Sequence, residues 1–301
     1  MRDGNGLRAS DVAAAAQLAC LLEASAPKPG NVSPAHRFDD LDYEDFLAGA
    51  AAIGGPLSRA GSSSVGATVR AAIEATAGWT RSNVNLGIVL LLAPLARAVL
   101  TSDWPADGRW SPPALRDRLR RVLDESTLDD AREVYAAIRV VQPGGLGRVD
   151  DQDVAGEPTQ TLLHVMQLAA ERDAIAREYA TAFDVTFEIG APTLLRARHD
   201  RLTWSAAIVE TFLTLLAARP DTHITRRSGA ELAGAVSDRA RAALAAGGVR
   251  SDAGQRAVEE MHHALGDPQH RANPGATADL TAAAIFVVLL AGGWQHEDRD
   301  G

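Results

Sequence analysis

The sequence predicts an all-α fold, and three observations carry that reading. Alanine and leucine dominate while aromatic residues make up only 5% of the chain. Runs of alternating β-branched residues are almost absent, and apolar positions recur at helical spacing through most of the length. At 301 residues the chain is long enough to bury a sizeable core, and 46% hydrophobic with 23% charged residues is the composition of a folded globular protein. The net charge of -9 argues against a polybasic nucleic-acid binder. A single cysteine, Cys20, can form neither an internal disulfide nor a multi-cysteine metal site, so the cytoplasm is the default location. Cys20 lies in an apolar helix and reads as a small core residue.

The first helix is expected over 10–26, starting near Ser10 as its cap. An export signal fits poorly, because Asp3 and Asp11 offset Arg2 and Arg8 in the flank and Pro27 follows the small residues Ala24-Ser25-Ala26. A second helix is expected over 41–53. From Ser64, Val65, Val69, Ile73 and Ala77 share one face while Arg70 and Glu74 pair four apart. Helices over 85–101 and 112–124 follow. The Thr127 hydroxyl and Asp130 then form a capping box before the stripe Val134, Tyr135, Ile138 and Val141, which Pro143-Gly144-Gly145 stops. Further helices are expected over 158–171, 173–199 with a break near Pro192, 201–218, 228–246, 252–265 and 276–293. The apolar runs Leu86 to Leu100 and Leu280 to Trp294 are shorter than the roughly 20 residues of a membrane span, and read as buried core helices. No repeat is visible and no loop has linker length. One helical domain over 1–301 is therefore expected, with its core at about 10–294 and flexible tails at 1–9 and 295–301. Exposed apolar helix faces leave room for a homodimer.

Helices bury the core and leave chemistry to the connections. Lys28 is the only lysine among 30 lysines and arginines. An ammonium binds phosphate as a compact point charge, which the planar guanidinium does not reproduce. It stands in Pro27-Lys28-Pro29-Gly30-Asn31, a stiff turn in which Gly30 permits close approach of a ligand. Asn83-Val84-Asn85-Leu86-Gly87 and Asn273-Pro274-Gly275-Ala276-Thr277-Ala278-Asp279 each open an apolar helix, and a helix start with amide donors suits a phosphate. Asn83 or Asn85 could equally serve only as a cap. Acidic loops supply other candidates: His36, Asp39 and Asp40; Asp150, Asp151, Asp153 and Glu157; and Asp221 with His223 before Arg226 and Arg227. The segment from Asp151 fails the calcium-loop pattern, since Leu162 stands where glutamate is required. Asp173, Arg177 and Glu178 fall near one helix face, as an intrahelical ion pair would. The adjacent His262 and His263 lack the spacing of a zinc pair and read as solvated or partly packed. No nucleophile elbow, Walker loop or Rossmann fingerprint is present.

Together these segments resemble the triphosphoribosyl-dephospho-CoA synthase family, in motif order from Pro27 to Leu290. The family's P-K-P-G with a following histidine and acidic loop is matched by Lys28, Pro29, Gly30, His36 and Asp39. Its N-T-H-K-G is matched by Asn83-Val84-Asn85-Leu86-Gly87. Its A-R-E is matched by Ala176-Arg177-Glu178, and its S-P-G-G-S-A-D-L by Asn273 to Leu280. The resemblance implies transfer of the triphosphoribosyl group of ATP to 3'-dephospho-CoA with release of adenine. It implies magnesium, nucleotide contacts from Lys28, Gly30, Asn31, His36, Asn83, Asn85, Gly87, Arg177, Asn273, Gly275 and Thr277, and catalytic or metal-binding carboxylates among Asp39, Glu178 and Asp279. Leu86 and Asn85 replace the family's lysine and histidine, and Asn273 and Ala276 its serine and glycine. That form resembles a divergent branch found in archaea and in bacteria with tetrahydromethanopterin-linked metabolism, which would use ATP or another phosphorylated ribosyl compound with a different acceptor in cofactor assembly. A non-catalytic helical nucleotide-binding or scaffold protein is the alternative from another class.

Overall fold

A computed structural model describes residues 7–36, 38, 41–101, 111–141, 143, 151–266 and 270–294. The chain begins with α1 (Ala9–Ser25), α2 (Tyr43–Ala52), α3 (Gly54–Ser58), α4 (Val65–Ala77) and α5 (Leu86–Leu100). It continues through α6 (Pro112–Asp124), α7 (Leu128–Val141), α8 (Leu162–Ala169) and α9 (Ala174–Thr181). A π-helical turn (Thr186–Gly190) leads into α10 (Ala191–His199), followed by α11 (Trp204–Ala218), α12 (Thr222–Ser228), α13 (Ala230–Ala245), α14 (Asp252–Leu265) and α15 (Gly275–Leu290). Among the described residues there is no strand, only an isolated bridge between Ser33 and His36. The all-α expectation therefore holds.

The last helix is the axis. Every residue of α15 from Leu280 to Leu290 is buried, as expected for a helix apolar on all sides. Around it pack α1, α5, α10, α11 and the π turn, with smaller contacts from α12, which reaches its start through Asp221, and from α9. The pair α4 and α7, packed with their first turns together through Gly66 on Asp130 and Arg70 on Glu133, forms a second layer, and α13 with α14 flanks α11. Apolar side chains from Val12 to Leu290 join in one continuous core. No described helix is long and apolar enough to cross a membrane.

Local chemistry explains where the elements stop. Ser64 caps α4 by accepting from Ala67 N at 3.3 Å. The expected box at α7 forms: Asp130 N donates to Thr127 Oγ1 at 3.1 Å and Thr127 N donates to Asp130 at 2.9 Å. The first helix differs from expectation, because Asp11 accepts the Arg8 N–H at 3.0 Å and so places Ser10 inside the first turn rather than at the cap. The long helix expected over 173–199 does not break at Pro192. It breaks at Ala182 and Phe183, which adopt left-handed φ values of 50° and 60°. Pro192 follows directly on the π turn, where Ala191 N still donates to Thr186 O, and the helix runs on through it to His199. The short helix α12, capped by Asp221, stands where a loop was expected, and α3 follows α2 in a stretch for which no helix was expected.

Candidate active site

Three chain segments converge on the N-terminal end of α15, and each is fastened there by a short polar contact. Asp221, 2% exposed, accepts from His223 N and Ile224 N at 2.8 and 3.0 Å with one oxygen. Its other oxygen accepts from the Thr277 N–H and hydroxyl, both at 2.7 Å. One carboxylate thus locks the start of α12 to the start of α15. Asn31 donates to Asn273 Oδ1 at 2.6 Å, which seats the Lys28 loop on the same entrance. Gly30 is required there, since its φ is +78° and a methyl group would come within 3.2 Å of Leu265 and Pro274. The third segment is the start of α5. A methyl on Gly87 would lie 2.0 Å from Asp279 Oδ2, so the glycine brings bare backbone against that carboxyl.

Asp279 is the electrostatic centre of this arrangement. It is half-buried and accepts no hydrogen bond from any described residue. Burial holds its carboxyl well above the usual range, the charges of Glu23, Asp221 and Asp173 add to the shift, and Arg226 opposes it. His223, whose ring lies 3.4 Å from where a Gly275 side chain would begin, is pushed down to about 4 by burial and by Arg226 and Arg227. It is therefore a neutral imidazole at pH 7. Asn31 Oδ1, His223 Nε2 and Arg226 Nε of these segments, and Arg177 Nε on α9, are buried without a hydrogen-bond partner. Buried polar groups are normally paired, so these atoms retain unused hydrogen-bonding capacity.

Several expected site residues prove to be engaged inside the fold. Lys28 is fully buried, with Nζ 2.9 Å from Glu23 Oε1 and also donating to the carbonyls of Glu23 and Ala26. All three ammonium hydrogens are accounted for, so this lysine is a structural ion and not the free phosphate ligand its solitude suggested. Glu178 is fully buried too. Its oxygens accept from Val185 N and Thr186 N at 3.0 Å each and from the Thr186 hydroxyl, pinning the π turn. Burial raises its pKa to about 7 against those hydrogen bonds, and it holds backbone where a metal ligand was expected. Asn83 accepts from Leu86 N at 3.2 Å, which is the capping role. Asn85 is buried and donates to Thr76 Oγ1 at 3.0 Å. Asp173 caps α9 and pairs with Arg226 at 3.0 Å, not with Arg177. His36 packs edge-on against His262, with ring centroids 4.4 Å apart. Asp39, Asp40 and Asp150 lie outside the described residues. Glu157 pairs with Arg139 of α7, so the loop that carries it serves that helix. Among the described residues no group of three or more His, Cys, Asp and Glu side chains could hold a metal.

Gly87, Thr277, Asp279, Gly275, Asn31 and Asn273 do meet, as the sequence motifs imply. Glu23 was missed altogether, and the Asp221, His223 and Arg226 group was noted only as a loop candidate. The legible signal was the cap pattern: Asp221 followed by Thr222 and, five residues after the aspartate, Arg226.

The protein-family model CitG, ATP:dephospho-CoA triphosphoribosyl transferase, matches residues 9–298. The chain belongs to that family. Among its relatives, a protein of Azotobacter vinelandii named "Probable 2-(5''-triphosphoribosyl)-3'-dephosphocoenzyme-A synthase" is 32% identical over 145 residues, 48% of this chain and 49% of the relative. A protein of the same name from Pseudomonas aeruginosa is 37% identical over 123 residues, 40% of this chain and 41% of the relative. These matches span about half the length of the curated relatives. The fold is shared with a crystal structure of a "putative triphosphoribosyl-dephospho-coA synthase" from Archaeoglobus fulgidus, at 27% identity and a TM-score of 0.62, covering 83% of this chain and all of that one.

Proposed function

We propose that this member of the CitG family transfers the triphosphoribosyl group of ATP to the ribose hydroxyl of 3'-dephospho-CoA and releases adenine. The observation that carries the reading is the pairing of Gly87 with Asp279. Two family motifs far apart in sequence present one uncommitted carboxylate against bare backbone, at the end of a helix whose dipole favours anions. In this reaction a bond forms between the acceptor oxygen and C1' of the ATP ribose, and the bond from C1' to N9 of adenine breaks. The ribosyl carbon passes through an oxocarbenium-like state, as in glycoside hydrolysis. Asp279 takes the proton of the acceptor hydroxyl as its oxygen closes on C1', and the departing adenine takes up a proton from water, so one proton lost is balanced by one gained. A carboxyl held above its usual range suits that role, because a base works best with a pKa near the working pH.

Magnesium belongs to the reading as the counter-ion of the triphosphate. Magnesium sites often use one or two carboxylates plus substrate phosphates, so the triphosphate would supply part of its ligand set. Asp39 is the protein ligand the sequence offers. When bound, the ion neutralises phosphate charge. Gly275 and Thr277 at the start of α15, with Asn31 and Asn273, line the entrance where the nucleotide would rest, and His36 borders it.

The test is adenine release by the purified protein with ATP, magnesium and dephospho-CoA. Release that depends on dephospho-CoA supports the reading; ATP binding with no release under any acceptor overturns it. The departures at Asn85 and Leu86 favour one second reading, in which the same transfer serves another acceptor. Asn85 is turned onto Thr76, and a leucine in place of the family's lysine removes one cation from this helix start. Adenine release with a pterin-type acceptor alone would select it.

A further inference from the structure

Phosphates need cations, and the sequence's obvious cation is spent. With Lys28 locked to Glu23 and leucine at position 86, the positive charge must come from elsewhere. Two half-buried arginines near the entrance have unused hydrogen-bonding capacity. Arg226 on α12 uses Nη1 on Asp173 Oδ2 at 3.0 Å, while its Nε is buried without a partner. The edge formed by Nε and Nη2 therefore faces no described acceptor, and that edge is the one that grips an oxyanion with two parallel hydrogen bonds. Arg177 stands on α9 one turn beyond Asp173, and its Nε is likewise buried and unpaired. The influence of Arg226 reaches Asp279, which places it within electrostatic range of the reacting carboxyl.

We infer that Arg226, supported by Arg177, forms a polyphosphate subsite beside Asp279, with Asp173 as the residue that aims the Arg226 fork. The inference rests on the proposed transfer only for the identity of the ligand. The shared chemistry is a chain of phosphates, either the triphosphate of the donor or the diphosphate of the acceptor. Asp173 is suited to aiming because its other oxygen caps α9 through Ile175 N and Ala176 N, at 2.9 and 3.0 Å, so it cannot swing away with the arginine. A single bidentate arginine contact to phosphate, once lost, weakens binding by about tenfold or more.

Calorimetric titration of the full chain with inorganic tripolyphosphate and magnesium tests this without any turnover. The informative variant is Arg226→Lys, which keeps a cation to pair with Asp173 but lacks the second edge; Arg177→Gln is its companion. The expected result is binding by the parent chain and a loss of tenfold or more in Arg226→Lys, with an unchanged thermal midpoint. Parent and Arg226→Lys binding equally well, or a parent that does not bind tripolyphosphate, overturns the inference. Steady-state kinetics identify the source: a raised KM for ATP with kcat little changed assigns the subsite to the donor, and a raised KM for dephospho-CoA alone assigns it to the acceptor. If tripolyphosphate binds as expected but adenine is never released, the subsite stands and the transfer reading falls.

Discussion

Two aspartates sit at two helix junctions, each with a glycine pressed against it, and they behave in opposite ways. Asp130, at the junction of α4 and α7, accepts from Gly66 N at 2.7 Å and from the N–H and hydroxyl of Thr127, both at 2.9 Å. Burial alone would raise its pKa, but the hydrogen bonds from Ser64, Gly66 and Thr127 outweigh it and hold the carboxyl below its ordinary value. Asp279, facing Gly87 where α5 meets α15, has no donor among the described residues and is surrounded by acidic charge, so its carboxyl is held well above. The difference teaches that a buried carboxylate stabilises a fold only when the fold supplies its donors. Where donors are withheld, the group is kept reactive at a cost in stability.

The sharpest way to break this comparison is to neutralise each aspartate. Asp279→Asn is expected to lower adenine release by about 10²–10⁴-fold, the usual contribution of a general base. Its thermal midpoint at pH 7 should stay equal or rise, because a carboxyl whose folded pKa is raised costs stability once pH passes its unfolded value. Asp130→Asn should do the reverse, costing about 1.5–3 kcal/mol in a denaturant melt with little change in KM. A large loss of stability in Asp279→Asn would refute the distinction.

Removing the cation that balances the neighbouring Glu23 comes next. Lys28→Met leaves a buried carboxylate unpaired, and a loss of about 3–5 kcal/mol is expected by chemical denaturation. The double variant Glu23→Gln with Lys28→Met should recover most of that loss. If Lys28 instead served substrate, the double variant would regain stability but keep a weakened affinity for ATP.

The glycines offer a smaller and more selective comparison. In Gly66→Ala the new methyl would lie 2.4 Å from the Asp130 carbonyl oxygen, which is backbone and cannot give way, so about 1–3 kcal/mol of stability should be lost. In Gly87→Ala the obstacle is the end of the Asp279 side chain, which can rotate. That variant should lose activity while unfolding nearer to the parent, a contrast read by assaying both proteins after matched melts. The smallest effect is in pH dependence: kcat/KM should fall on acidification with an apparent pKa above the ordinary aspartate value of 3.8. A profile flat from pH 7 down to pH 4 would remove Asp279 as the base.

Much of this molecule was legible in its sequence. Helical periodicity and caps located most elements, because apolar spacing and hydrogen bonds three residues apart are local facts; the Thr127 and Asp130 box is one example. The motifs that meet at α15 were legible as well: Gly87 and Asp279, singled out from separate motifs, lie against each other, and Asn273 joins Asn31. What the sequence could not carry was the direction of each polar side chain. Lys28 seemed a ligand because it is alone, yet it turns back five residues onto Glu23. Glu178 lies in a family motif, yet it turns inward to hold Val185 and Thr186, which the left-handed backbone at Ala182 and Phe183 brings back onto it.

The sequence by itself determined an all-helical fold and the burial of the last apolar helix, and it singled out the segments that meet at the start of α15, since all of these follow from composition and short-range pattern. Only the tertiary structure decided which charges are spent and which are left over. A charged side chain's role depends on which donors and acceptors reach it from distant parts of the chain, as Arg226 reaches Asp173 across 53 positions and Asp221 reaches Thr277 across 56.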